Sequence, residues 1–338
     1  MNLRLRLTIT SFFQFFIFGS WVITFSAYAF KTLHFSGTQI GTIYSTIGIG
    51  SIFMPIVIGV IADKWMNAER VFAICHLLGA ITLFVAMHIT DPDQMFWIML
   101  LHALVYTPTI PLAGAICYRV LADNGYDVVK VYPQIRVWGT VGFVLALWLV
   151  STLGFELSPQ QLNIAGFAAL TLGLYAFSLP ACTVINNGKA KFLWHTLGLE
   201  ALTLFKRTQL RIFFLFSILI GAILQIDNIF IASFLHDFDV NPLYKSSFGV
   251  VHSAMIVSIS KISEVLFILT VPFFLRRFGI KKIILISLAA WFLRYALLAY
   301  SNPAGGLWMI IISMIVCGCA FDFFNIAGFN FAPSSVIT

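Results

Sequence analysis

The stretch QIGTIYSTIGIGSIFMPIVIGVIADKWMNAER, residues 39–70, decides the fold. No charged side chain occurs between Gln39 and Ala62, and then Asp63, Lys64, Glu69 and Arg70 arrive together. An uncharged apolar run of this length matches the roughly 20 residues an α-helix needs to cross hydrocarbon. The abrupt return of charge marks the exit into water. Outward from this run the same pattern recurs along the chain. It predicts ten spans, at 8–30, 39–62, 70–89, 95–118, 133–153, 161–184, 210–235, 248–275, 283–300 and 307–329. Each segment must satisfy its own backbone in lipid, and none shows the alternation of a barrel strand, so helix is the expected state throughout.

Composition agrees. Of 338 residues, 60% are apolar and 10% charged, whereas a soluble domain is about a quarter charged. The net charge of +7 does not point to nucleic acid, because the basic residues form neither a stripe nor a patch. They cluster between the apolar runs. With the N-terminus (Arg4, Arg6) in the cytoplasm, the cytoplasmic loops carry Lys64 and Arg70, Arg119 and Lys130, Lys189 to Arg211, and Arg276 to Lys282. The opposite loops carry only Lys31 and Lys245. This alternation is the positive-inside pattern and predicts a cytoplasmic N-terminus. The five cysteines form no CxxC pair, and no histidine has the company of a metal site.

The longest polar connection, 185–209, is basic at both ends with an apolar-periodic centre. It reads as a cytoplasmic linker holding a short surface helix. It separates an N-terminal six-helix bundle (1–184) from a C-terminal four-helix segment (210–338). A weak repeat supports the division. The second span has Pro55 and ends in GVIADKWMNAER (59–70). The eighth, six spans later, has Pro272 and ends in FGIKK (278–282). A parallel six-helix repeat is a major facilitator pattern. Pro108 and Pro111 are expected to bend the fourth span.

GVIADKW resembles the Gly-x-x-x-Asp-Lys loop of major facilitator transporters. A more specific set of segments is similar to the bacterial nucleoside:proton symporters: FGSW (18–21), IGTIYS (40–45), ADKW (62–65), ICHLLGAITLF (74–84), PQIRVWGTVGF (133–143), FLHDFD (234–239), SEVLFILTVPFFLRRFGIK (263–281) and SMIVCGCAFDFFNI (313–326). The resemblance implies an all-α membrane protein of the major facilitator fold. It would reside in the inner membrane and move nucleosides with protons by alternating access, as a monomer among lipids. It would need no cofactor beyond the proton gradient. Family members continue with two further helices, where this chain ends in GFNFAPSSVIT (328–338). The C-terminal bundle therefore reads as incomplete, and the chain as a truncated copy expected to transport poorly.

Six charged residues lie within the apolar runs: Arg136, Asp227, Lys261, Glu264, Arg294 and Asp322. Charge in a span is costly and marks function or pairing. Arg136 and Thr140 share a helix face, with Phe143 three further on; Gln225 and Asn228 are three apart on another helix. Amides, a hydroxyl, aromatic rings and acids together suit a nucleoside, whose base stacks and whose ribose donates to carboxylates. The resemblance implies the same pocket: Arg136, Thr140, Phe143, Gln225, Asn228, Glu264, Phe321 and Asp322, with Lys261 where relatives carry glutamine and Asp227 where they carry threonine. Glu264 and Asp322 are the candidates for proton coupling. Lys261 has two possible partners, Asp227 on the neighbouring helix and Glu264 three positions along its own. Gly59, Asp63, Lys64 and Arg70, with Glu69, are assigned by the resemblance to a gating loop that joins the two halves. His76 is expected to make a helix contact.

Competing classes are a ten-helix carrier of another small polar solute and a membrane solute receptor. A membrane enzyme would need a catalytic constellation, and the sequence contains no HExxH, GxSxG or DxxxD set.

Overall fold

The computed structural model describes residues 2–182 and 208–337. Every regular element among them is helical. The chain forms two compact units, Met1–Leu197 and Gly198–Thr338. The 185–209 linker and its expected surface helix fall outside the described residues, except for its last two.

The first unit contains α1 (Leu3–Gly19), α2 (Phe25–Lys31), α3 (Gly37–Lys64), α4 (Ala68–Ala86), α5 (Pro92–Tyr106), α6 (Thr109–Asp123), α7 (Val128–Thr152) and α8 (Gln160–Ala176). Local chemistry sets the boundaries. Ser36 and Gln39 form a reciprocal capping box at the start of α3. Asp91 caps α5 ahead of Pro92, and Asp127 caps α7. Helix α1 packs along α7, and α4 packs along α8 and α5.

The second unit contains α9 (Thr208–His236), a 3-10 turn (Asp237–Val240), α10 (Phe248–Val251), α11 (Ser253–Tyr300) and α12 (Leu307–Ile337). Helix α11 is two spans joined at Gly279, whose φ of +73° only glycine adopts without strain. The eighth and ninth predicted spans therefore meet at the FGIKK segment. Both halves of α11 pack against α12, with Val271, Ile283 and Phe323 forming the core.

Eight helical stretches among the described residues are long and apolar enough to cross a membrane. Two predicted spans take a different form. The run 8–30 is divided into α1, of 17 residues, and α2 by a turn at Ser20–Thr24. The run 161–184 holds a helix of only 17 residues, α8. At about 1.5 Å per residue such helices reach about 25 Å, the short end for a crossing. The predicted bend in the fourth span is present: α5 ends at Tyr106, and α6 restarts at Thr109 beside Pro108.

Candidate functional site

In the first unit the site begins with close packing of α7 on α1. A Cβ at Gly142 would collide with the Phe12 carbonyl, and one at Gly19 would lie 2.7 Å from the Phe143 carbonyl. Bare Cα positions thus let the two helices touch backbone to backbone. Gly139 has a further role. A Cβ there would come 2.6 Å from the Phe15 ring and 2.9 Å from an Arg136 nitrogen. Its absence leaves room for the Arg136 guanidinium to lie 4.0 Å from the Phe15 ring centroid.

Arg136 and Phe15 line a cavity of about 420 Å³, together with Thr10, Gln14, Tyr118 and Tyr132. Thr140 is half-buried on the same helix and does not line it. Phe143 is buried edge-on against Phe18, at 6.3 Å between centroids, and acts there as helix packing. Of the three α7 candidates, the cavity therefore contains Arg136 alone. Sequence reading passed over Phe15, Gln14, Tyr118 and Tyr132. The two tyrosine rings meet tilted, 4.3 Å between centroids, but lie on different helices, so no periodicity links them.

Gln14 is the hub of a buried network under the cavity. Its Nε2 donates to Thr109 Oγ1 at 2.8 Å, its Oε1 lies 2.8 Å from His76 Nε2, and its carbonyl accepts from the Tyr106 hydroxyl at 2.6 Å. The expected helix contact of His76 is thus a bond from α4 to α1. The residues that the resemblance assigned to a gating loop lie in the same unit. Asp63, Lys64 and Arg70 are exposed and Gly59 is half-buried. Gly59 and Asp63 border a second cavity of about 300 Å³ with Pro108, Arg119 and Cys182. Glu69 is buried and accepts the Cys182 backbone N–H at 2.9 Å.

In the second unit, charges meet along α9, α11 and α12. Arg294 is 1% exposed and holds Asp227, at 5%, through three hydrogen bonds of 3.1, 2.9 and 2.7 Å. A fourth bond, 2.7 Å long, runs to the Ser313 carbonyl. Pairing of Asp227 with Lys261 is therefore corrected: the planar guanidinium takes the carboxylate in a fork that an ammonium cannot match. Lys261 instead donates to Glu264 Oε1 at 2.6 Å. This pair remains 16% and 19% exposed.

Asp322 is 6% exposed, and its Oδ2 has no hydrogen-bond partner. It is brought beside the Lys261–Glu264 pair by Gly318, one turn earlier on α12. A Cβ at Gly318 would fall 2.5 Å from Ser263 Oγ and 2.7 Å from Glu264 N. Ser263 Oγ also bonds the Ile315 carbonyl at 2.5 Å, fixing the two helices in register. Phe321 and Asn228 are half-buried, and Gln225 is exposed on α9.

A sequence model of the family described as Nucleoside H+ symporter matches residues 1–337. The chain belongs to the nucleoside H+ symporter family. This symporter is 50% identical over 338 residues to the nucleoside permease NupG of Escherichia coli (strain K12), covering 99% of this chain and 81% of the relative. It is 49% identical over 337 residues to the xanthosine permease of the same organism, with the same coverage. A crystal structure of the nucleoside transporter NupG superposes with a TM-score of 0.93 at 50% identity, covering 99% of this chain and 83% of that one. A peptide transporter POT crystallised with sulfate shares the fold alone, with a TM-score of 0.68 at 12% identity over 97% of this chain and 81% of that one. The symporter thus has the expected all-helical major facilitator fold, and its long apolar helices make it a multi-pass protein of the bacterial inner membrane.

Proposed function

We infer that this chain carries nucleosides across the inner membrane together with protons, its N-terminus on the cytoplasmic side, as a monomer that needs no cofactor and catalyses no covalent chemistry. Family membership along residues 1–337 carries the reading. The charged groups of the second unit support it. Hydrocarbon penalises a charged side chain in mid-span by about 3 kcal/mol. The partly exposed Lys261–Glu264 pair is therefore best explained by a face turned to water or solute. Lysine and carboxylates, with the half-buried Asn228 amide on α9, offer the donors and acceptors that ribose hydroxyls and base edges need. In the first unit, Arg136 stacked on Phe15 beside Tyr132 offers a flat cationic and aromatic wall for a base. Proton coupling requires a carboxylate that gains and loses a proton during the cycle, and Glu264 and Asp322 are the two candidates in this reading. The Lys and Arg asymmetry between alternate loops supports the orientation.

Counterflow of labelled uridine in proteoliposomes tests this. Exchange above that of protein-free vesicles, however slow, marks a carrier. Binding without exchange marks a receptor and overturns the reading, as does conversion of uridine to another compound.

A further inference from the structure

We propose that the outer face of the first half of α11 is a binding site for one anionic phospholipid, its phosphate held by Arg276 and Arg277 and an acyl chain laid along Ile262, Leu266, Leu269 and Phe273. These six residues recur at helical spacing and share one face of the helix. The opposite face is already occupied. Ser263 bonds the Ile315 carbonyl, Phe267 meets Phe323 edge-on at 6.1 Å, and Val271 lies in the core against α12. The outer face has no such cover: Leu269 is 73% exposed and Phe273 60%, and Ile262, Leu266 and both arginines are exposed as well. Neither Lys261 nor Glu264 belongs to this stripe, so it is distinct from the charged site described above.

The stripe has the length of one lipid leaflet. From Ile262 to Phe273 the helix rises about 16 Å at 1.5 Å per residue. Half of a hydrocarbon core roughly 30 Å thick is about 15 Å. The apolar span Ser253–Val271 ends just before the arginines, which places them at the level of the headgroup phosphates. Leu269, Phe273, Arg276 and Arg277 line one groove of about 590 Å³, so the apolar and cationic parts of the stripe meet in a single concavity.

Charge selects the occupant. No acidic residue occurs in the sequence between Glu264 and Asp322. Neither arginine has an ion-pair partner among the described residues. Two adjacent guanidinium groups offer planar forks that match phosphate oxygens, and their aliphatic stems extend the apolar stripe. A second protein helix would cover the apolar side chains but leave both cations unanswered. A zwitterionic lipid brings its own ammonium. An anionic phospholipid supplies net negative charge and a chain together. Lys281 and Lys282 sit at the same end of α11, beyond the turn at Gly279, and do not line the groove. They therefore separate a built site from the general attraction of basic loops to an anionic membrane.

Native mass spectrometry of the full chain in detergent tests this, with phosphatidylglycerol and phosphatidylcholine of matched acyl chains added in equal amounts. The wild type should retain one phosphatidylglycerol in preference to phosphatidylcholine. Combining Arg276→Ala with Arg277→Ala should lower that retention about 25-fold, about fivefold for each cation. Leu269→Ser with Phe273→Ser should also lower it, whereas Lys281→Ala with Lys282→Ala should leave it unchanged. Equal retention of the two lipids by the wild type, undiminished retention in the arginine variant, or the same loss in the lysine variant would each overturn the proposal. So would displacement of the lipid by an equal concentration of glycerol phosphate, which marks a site for free phosphate. A dimer that dissociates in the Leu269→Ser, Phe273→Ser variant marks a contact between copies of the chain and overturns it too. If the arginine variant does not fold, the wild-type preference and the other two variants decide. No nucleoside enters these measurements, so their outcome is independent of the carrier reading.

Discussion

Replacing Asp227 with alanine should be among the most damaging single changes in the second unit. The substitution removes the partner of three hydrogen bonds and leaves a guanidinium that is 1% exposed with the Ser313 carbonyl and the weakly accepting Met314 sulfur to face. Charge-assisted hydrogen bonds contribute about 1.5–3 kcal/mol each, so three independent ones would amount to about 5–9 kcal/mol. They are not independent, because one carboxylate serves them all. The measured cost of breaking a buried ion pair on one side, about 3–5 kcal/mol, is the better figure. The double variant Asp227→Leu with Arg294→Met removes both charges and fills similar volume. It should return to within about 1 kcal/mol of the wild type, or exceed it. Equilibrium unfolding in mixed micelles, followed by circular dichroism, measures the wild type, Asp227→Ala, the single variants Asp227→Leu and Arg294→Met, and the double variant. A cost below about 1 kcal/mol for Asp227→Ala, or a double variant weaker than either single one, would refute the reasoning. It would mean that water reaches Arg294.

The remaining predictions concern the first unit. Gly142→Ala should destabilise the protein by about 1–3 kcal/mol in the same unfolding assay, because the added methyl meets the Phe12 backbone carbonyl and not a flexible side-chain tip. Gln14→Leu should cost about 1–3 kcal/mol, since it deprives His76 and Thr109 of their shared buried partner. Arg136→Ala should weaken uridine binding about tenfold, measured by calorimetry, with unfolding little changed, because its side chain lines a cavity and supports no core contact.

The membrane class was legible because hydrocarbon imposes a length and a charge rule that sequence displays directly, as in the uncharged run before Asp63. The break at Pro108 was legible for a similar local reason: proline lacks the N–H and announces its own effect. The turn at Ser20–Thr24 was not. It is held by Thr24 Oγ1 donating to Gln161 Oε1 at 2.7 Å, a partner 137 residues away. The same limit governs the site. The pairing of Lys261 with Glu264, three apart, was one of two alternatives that helix geometry offered. The true partner of Asp227 lies 67 residues on, and nothing in spacing or period selects Arg294 over Lys261. The position of Asp322 beside Glu264 likewise depends on Gly318, whose missing Cβ has meaning only once α11 is packed against α12.

The most direct measurement of the coupling is the number of protons taken up when uridine binds, obtained by calorimetry in two buffers of different ionisation heat. Proton uptake of up to one per uridine, lost in the variant that combines Glu264→Gln with Asp322→Asn, is the predicted result. Tight uridine binding with no change in bound protons, in both the wild type and that variant, would contradict proton symport by this chain.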